Sequence, residues 1–171
     1  MVHRINIAGM ERDLPLFKVT DDLYIAAFIM LGDVEITEHC AKELIKMAPE
    51  FDVILTAECK SIPLVYEMAK QTGKPYVVAR KGIKVYMEKV IKAEVNSITT
   101  AHPQVLHMDE SGRKLLCGKK VLIVDDVIST GDSLKCLEVL CEKCEGEIVG
   151  KMPVLAEGEA AAREDIKFLE P

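Results

Sequence analysis

From residue 34 onward, the hydrophobic positions of the chain change repeatedly between helical spacing and short buried runs. Cys40, Ala41 and Leu44 share one helical face, which predicts a helix over 34–48. Asp33 is a suitable N-cap for this helix, and a proline follows just beyond its end.

The same alternation continues to residue 155 and predicts a series of buried strands separated by helices. The strands are predicted at 51–56, 76–80, 121–126 and 148–155, and two further helices at 63–71 and 133–145. Short connections from strand to helix to strand are typical of right-handed, parallel βαβ units. We therefore predict the α/β class: a doubly wound, mostly parallel sheet with helices on both faces, and ligands bound beyond the C-terminal ends of its strands.

The two ends of the chain depart from this pattern. Residues 1–32 show no clean period and are predicted as an irregular segment, in which 25–31 forms a short strand or one buried helical turn. Near the other end, the acidic and alanine-rich stretch 157–165 predicts a short surface helix. A last strand is predicted at 166–169.

A third departure lies between the predicted strands at 76–80 and 121–126. Residues 91–95 alternate like a half-buried strand, and 105–108 can pair with them in antiparallel order through a connection at 99–103. With the basic and apolar residues before them, they predict a flexible hairpin or flap over 81–108 within a single domain of 1–171.

Composition limits the partners of the protein. The chain has 171 residues, a formal net charge of −6 and a pI of about 5.3, so we expect no affinity for nucleic acid or an anionic membrane. The longest apolar run is far shorter than the roughly 20 residues that span a bilayer. Six cysteines without a secretory signal predict reduced thiols in the cytoplasm.

The pair Cys141 and Cys144 shares a helical face with several leucines, which favours core packing over metal binding.

The chemistry is concentrated where the strand at 121–126 ends. Asp125 and Asp126 are followed by a polar loop and a helix, and backbone N–H groups at the start of a helix suit a phosphate. Two carboxylates beside a bare anion would repel it, whereas they suit a ligand that also carries vicinal hydroxyls and a divalent cation. A sugar phosphate fits these requirements, with its phosphate on Ser129, Thr130, Gly131, Asp132 and Ser133.

Neither the G-x-x-x-x-G-K-[ST] phosphate loop nor the G-x-G-x-x-G dinucleotide motif occurs in the chain. The run from Val121 to Ser133 instead resembles the signature of type I phosphoribosyltransferases, which bind phosphoribosyl pyrophosphate, and the chain is most similar to their adenine-specific members. This resemblance implies that fold, an N-terminal hood at 1–32, magnesium as cofactor and a homodimer. It also implies that Asp125 and Asp126 hold the ribose and contact magnesium through the substrate.

The resemblance extends to two other loops. The loop 57–61 is similar to the pyrophosphate loop of the family, which contains a cis peptide in many members, and this implies pyrophosphate contacts from Glu58, Cys59 and Lys60. Arg80-Lys81 resembles the Arg-Lys pair of adenine and xanthine enzymes, which implies a catalytic role. The run from Arg80 through Lys84 to Tyr86 also resembles the flexible loop of orotate enzymes, which implies a pyrophosphate contact from Lys84. It departs from that motif at Met87.

The identity of the base rests on two differences from other purine enzymes. Ser129 occupies the position of the aspartate that acts as general base in hypoxanthine–guanine enzymes, and Gly158 that of a lysine that contacts oxopurines. Both differences favour adenine. Phe17, Tyr24 and Glu157 are candidate base-binding residues, with core packing as the alternative for the two aromatic side chains.

The resulting hypothesis is a purine phosphoribosyltransferase that converts adenine and phosphoribosyl pyrophosphate to AMP and pyrophosphate in purine salvage. Xanthine or orotate is the alternative base. Outside the enzymes, the alternative is a sensor that binds phosphoribosyl pyrophosphate without consuming it, although such regulators usually carry a DNA-binding module for which this chain is short.

Overall fold

The computed structural model describes residues 2–21, 23–96 and 103–171. In chain order the elements are β1 (Val2–Ile7), β2 (Met10–Lys18), β3 (Tyr24–Ala26), α1 (Val34–Met47), β4 (Val53–Ala57), α2 (Ile62–Thr72), β5 (Tyr76–Ala79), β6 (Ile91–Val95), β7 (Gln104–Met108), α3 (Glu110–Leu116), β8 (Lys120–Ile128), α4 (Asp132–Lys143) and β9 (Glu147–Ala156), followed by a 3₁₀ turn at Gly158–Ala162. No helix within these ranges is long and apolar enough to cross a bilayer.

The centre of the molecule is a four-stranded parallel sheet in the order β5–β4–β8–β9. Successive side chains of a strand point to opposite faces, and each face of this sheet has its own core. Leu55 and Ile123 pack in the core that includes α4, whereas Ile54 and Leu122 pack in the core that includes α1 and α2. The prediction of an α/β fold with helices on both faces is confirmed.

The helix boundaries follow from capping chemistry. The Asp33 side chain accepts a hydrogen bond of 3.1 Å from the Ile36 N–H at the start of α1, as predicted. Gly73 ends α2 with φ of 69°, a left-handed conformation that glycine adopts without steric penalty.

The N-terminal segment is more regular than predicted. Strands β1 and β2 form an antiparallel hairpin, and β3 pairs with the end of β2. The prediction of irregular structure was wrong here because most side chains of the hairpin are exposed, so its apolar residues do not alternate cleanly. Polar pairs across the strands replace that pattern, such as Arg4 Nε with Asp13 Oδ1 at 2.7 Å.

Three further elements differ from the sequence prediction. Helix α3 was missed because it is short and contains Gly112, whose absent side chain leaves room for the Met108 side chain. The predicted strand at 166–169 is wrong: the chain there makes isolated hydrogen bonds to β9, such as Leu169 N–H to the Val154 carbonyl at 3.0 Å. The predicted surface helix at 157–165 is only the 3₁₀ turn.

The predicted hairpin within 81–108 is present as an antiparallel pair of β6 and β7. Ala93, Leu106 and Met108 are buried in the core that contains α4, so both strands are part of the packed molecule. Backbone hydrogen bonds between Arg80 and His107 also join the hairpin to the end of β5. Most of the predicted connection at 99–103 lies outside the described residues.

Candidate active site

Asp125 and Asp126 lie in the second half of β8, where the strand has different pairing lengths with its two neighbours. Strand β8 pairs with β9 as far as Ile128, but with β4 only as far as Ile123. The end of β8 therefore extends past its pairing with β4 and meets the loop that follows β4. Both carboxylates are buried there, at 9% and 6% exposure.

Ser61 binds both acidic residues, a role that its place in the sequence does not indicate. Its hydroxyl donates to Asp125 Oδ1 at 2.6 Å and accepts from the Asp126 N–H at 2.8 Å. Its position immediately before α2 suggests an N-cap, but its side chain makes no capping hydrogen bond. The hydroxyl instead connects the loop after β4 to the acidic pair.

The electrostatics of the acidic pair favour a ligand. The pKa of the Asp125 carboxyl is raised to about 7, chiefly by burial and also by the neighbouring Asp126 carboxylate, while the hydrogen bond from Ser61 opposes this rise. Among the described residues, the buried Asp126 Oδ2 has no hydrogen-bond partner, and the Lys60 ammonium lies 4.0 Å away. A ligand that supplies hydroxyl donors or a cation would satisfy this oxygen.

A cavity of about 210 Å³ opens in front of the acidic pair. It is lined by Ala57, Glu58, Cys59, Lys60, Ser61, Lys81, Gln104, Leu106, Asp125, Asp126, Val127 and Ser133. The Glu58–Cys59 peptide bond in its wall is cis. The Glu58 carboxylate accepts a hydrogen bond of 3.0 Å from the Lys81 N–H, which ties the loop after β4 to the loop after β5.

A second cavity, of about 50 Å³, lies beside the first and is bordered by residues 127–134 together with Asp125. Gly131 has φ of 83° and is the N-cap of α4, so the helix begins at Asp132. The helix thus starts one residue before the predicted start at 133, and Ser133 lies in its first turn. The Thr130 hydroxyl donates to Asp132 Oδ2 at 2.9 Å.

The four predicted cations divide into two groups. Lys60 and Lys81 line the larger cavity. The Arg80 guanidinium donates to the Tyr86 hydroxyl at 3.1 Å and borders a neighbouring cavity of about 240 Å³ instead. Lys84 is exposed and borders neither the larger cavity nor the phosphate-loop cavity.

The three candidate base-binding residues lie outside the cavity that contains the acidic pair. Phe17 and Tyr24 are on the β2–β3 hairpin, 52% and 42% exposed, so neither is a core residue. Glu157 follows β9, and its N–H donates to the Ile128 carbonyl at 2.8 Å, so its backbone is next to the end of β8. Their contacts with a base stay predictions.

Comparison with known proteins agrees with this arrangement. The family model of the phosphoribosyl transferase domain matches residues 33–170, which include both loops and the acidic pair. The chain belongs to the phosphoribosyltransferase family. The predicted family and the predicted enzyme class, a pentosyltransferase, are thereby confirmed.

The similar proteins include enzymes named for different bases and a transcriptional repressor. An adenine phosphoribosyltransferase of Agathobacter rectalis is 30% identical over 148 residues, covering 85% of this chain and 82% of that protein. A hypoxanthine/guanine phosphoribosyltransferase of Methanosarcina acetivorans is 32% identical over 127 residues, 74% of this chain and 64% of its own length. The purine biosynthesis transcriptional repressor of Bacillus subtilis is 29% identical over 110 residues, and the chain spans only 38% of that protein.

A solved structure supports the fold over nearly the whole chain. The adenine phosphoribosyltransferase of Thermoanaerobacter pseudethanolicus superposes with a TM-score of 0.74, covering 92% of this chain and 94% of that one. At 20% identity this likeness concerns the fold.

Proposed function

We propose that this phosphoribosyltransferase converts adenine and phosphoribosyl pyrophosphate to AMP and pyrophosphate. The observation that carries the proposal is the position of the acidic pair: Asp125 borders two adjoining cavities and Asp126 borders the larger one. Each cavity is also bordered by a loop that suits one end of the sugar donor. The carboxylates accept hydrogen bonds from the ribose hydroxyls. Asp126 Oδ2, which lacks a hydrogen-bond partner among the described residues, is the atom best placed to accept such a bond.

The two cavities support a separate place for each anionic end of the donor. Loop 129–133 and the first turn of α4 hold the 5′-phosphate through backbone N–H groups and hydroxyls. The loop containing Glu58, Cys59 and Lys60 holds the pyrophosphate, together with Lys81. Arg80 and Lys84 join this site when the loop after β5 turns toward the cavity.

Magnesium fits the same acidic pair. No group of three or more histidine, cysteine or carboxylate side chains in the described part of the chain is arranged to hold a metal ion. Asp125 and Asp126 would therefore hold the ion jointly with oxygens of the donor, which is how magnesium often binds phosphate substrates. The ion would offset the charge that develops on the leaving pyrophosphate.

The residues of the chain contribute mainly electrostatic stabilisation. As the bond between ribose and pyrophosphate breaks, positive charge develops on the sugar and negative charge on the leaving group. The carboxylates of Asp125 and Asp126 stabilise the first, and the ammonium groups of Lys60 and Lys81 stabilise the second. Because the site is buried, these charges act in a lower effective dielectric than in water.

Adenine is supported by Ser129 and Gly158, which replace the polar groups that the oxopurine enzymes use, and by the adenine-specific relatives. Phe17, Tyr24 and Glu157 are proposed to contact the base. We further propose a homodimer in the cytoplasm. The exposed side chains of Val85 and Tyr86 support the dimer, and six free cysteines support a reducing compartment.

The test is pyrophosphate release with magnesium, phosphoribosyl pyrophosphate and one base at a time. Adenine, guanine, hypoxanthine, xanthine and orotate are offered separately, and we expect release with adenine alone. Release with a different base would support the proposed reaction but contradict the choice of adenine inferred from Ser129 and Gly158. The Asp125→Asn/Asp126→Asn double variant should lose donor affinity, and unchanged affinity would remove the role of the acidic pair.

A sensor that binds the donor without consuming it is the second candidate. The observation in its favour is the similarity to the Bacillus subtilis repressor. Tight donor binding together with no pyrophosphate release for any of the five bases would make this candidate the leading one.

A further inference from the structure

The segment after β9 wraps around the end of β8, where the phosphate loop begins. The Glu157 N–H is bonded to the Ile128 carbonyl, and the Ala160 side chain is buried in the core that contains α4. The Arg163 N–H then donates to the Ala160 carbonyl at 3.1 Å. These contacts bring the side chain of Arg163 next to residues 129–133.

Arg163 contacts the phosphate loop at its glycine. A Cβ atom built on Gly131 would lie 2.7 Å from Arg163 Nη1, so the guanidinium occupies the space of the missing side chain. The same glycine has φ of 83° and forms the N-cap of α4. Arg163 does not border the 50 Å³ cavity, so it acts on the loop from outside the ligand space.

The guanidinium is held in this position by an aspartate. Arg163 Nε donates to Asp165 Oδ1 at 2.8 Å and Nη2 to Asp165 Oδ2 at 2.7 Å, a bidentate arrangement that fixes the plane of the group. The same hydrogen bonds hold the pKa of the Asp165 carboxyl well below its ordinary value. Lys151 Nζ also donates to Asp165 at 2.8 Å, and it pairs with Glu138 on α4.

The loop contains no cation of its own. Residues 129–133 include one acidic side chain and no lysine or arginine. We propose that Arg163 is a positioning residue for the phosphate loop. It holds Gly131 in the left-handed conformation and places a fixed positive charge behind the N–H groups that bind the 5′-phosphate.

The proposal rests on the proposed function, since it assigns Arg163 to the 5′-phosphate end of the donor. It is tested with Arg163→Gln, which removes the charge, and Arg163→Lys, which retains it without the bidentate pair. Arg113→Gln is the matched control, because Arg113 has the same side-chain exposure, 33% against 32%, and pairs with Glu145 on the surface. Calorimetric titration measures binding of ribose 5-phosphate and, separately, of pyrophosphate with magnesium.

We expect Arg163→Gln to weaken binding of ribose 5-phosphate by about tenfold, Arg163→Lys by less, and the control not at all. Pyrophosphate affinity should stay within about twofold in all variants, and the KM for the donor should rise with little change in kcat. If Arg163→Gln does not fold, Arg163→Lys and Asp165→Asn carry the test.

Equal binding of ribose 5-phosphate by wild type and the Arg163 variants would overturn the inference and leave the proposed function intact. An equal loss for both ligands would also overturn it, because this is the result of general misfolding. Failure of the wild type to bind ribose 5-phosphate would overturn both the inference and the proposed function.

Discussion

Asp125 has a carboxyl group that burial and the neighbouring Asp126 carboxylate make harder to ionise, although the proposed contact with the ribose uses its charged form. Its pKa is about 7 in the folded protein against 3.8 in the unfolded chain. Between these values the folded state binds more protons than the unfolded state, so stability falls as the pH rises through this window. The acidic pair therefore lowers the stability of the unliganded protein.

Replacement of Asp125 by Asn should stabilise the unliganded fold at pH 8. The amide oxygen still accepts from Ser61, and the ionisation penalty disappears, so we expect a gain on the order of 2 kcal/mol. The gain should shrink as the pH falls toward 4, because Asp125 is protonated in both states only below its unfolded pKa of 3.8. Thermal unfolding at pH 4, 6 and 8 measures it.

Asp21→Asn is the control, because Asp21 is an exposed residue paired with Lys18 and the substitution changes the formal charge equally. A gain for Asp125→Asn that is the same at all three pH values would contradict the assigned cause.

Some residues of the site could be identified from the sequence, and others could not. Asp125 and Asp126 are adjacent to each other and to the phosphate loop, so one continuous run indicated all of them. Ser61 lies 64 positions from Asp125, and only the pairing of β4 with β8 brings the two together. A serine before a helix is usually a cap, and nothing local indicates another use.

Among the elements, the turn from β8 into α4 depends on Gly131. Gly131→Ala should destabilise the fold and weaken binding of ribose 5-phosphate, because the new Cβ meets both an unfavourable φ and the fixed Arg163 guanidinium. The backbone penalty alone is about 1 kcal/mol. Chemical denaturation and titration with ribose 5-phosphate measure the two effects.

Gly118→Ala separates the two causes, because Gly118 also has positive φ, 67°, but a Cβ there meets nothing within 4 Å. We expect Gly131→Ala to be the more destabilising variant and the only one that affects ligand binding. Equal effects on stability and binding would show that the contact with Arg163 has no energetic role.

Elements that bury apolar residues on regular spacing were predictable, and the others were not. Strands β4 and β8 appear in the sequence as short apolar runs because both of their faces are covered. The β1–β2 hairpin has mostly exposed faces, and α3 has seven residues, too few for a helical period to emerge. Their structure depends on cross-strand pairs and on packing against distant parts of the chain.

For the molecule as a whole, the six cysteines divide into four buried and two exposed thiols. Burial raises the pKa of Cys40 and Cys141 to about 12 and that of Cys144 to about 11, and it also raises the pKa of Cys136. A thiol reagent should therefore modify only Cys59 and Cys117 in the native protein, and all six after unfolding. The absorbance after addition of an aromatic disulfide measures the number of modified thiols in the native and in the unfolded protein.

Of the two exposed thiols, Cys59 should react first, because a hydrogen bond to Glu145 raises the pKa of Cys117. Pyrophosphate with magnesium should slow modification of Cys59 alone, and Cys59→Ser should remove the fast phase. Rapid modification of more than two thiols in the native protein would contradict the packing of α1 or of α4 and its C-cap, which carry the four buried cysteines.

The hydrogen bond between Ser61 and Asp125 joins two parts of the chain that are 64 positions apart, and both parts border the same cavity. A molecule that binds both loops is a reversible crosslink across that length of chain. It must be released before β4 and β8 can separate, so it resists every opening of the sheet that exposes the intervening chain to a protease. Saturation with the sugar donor would then extend the lifetime of the whole molecule in a proteolytic environment, with no change to any covalent bond.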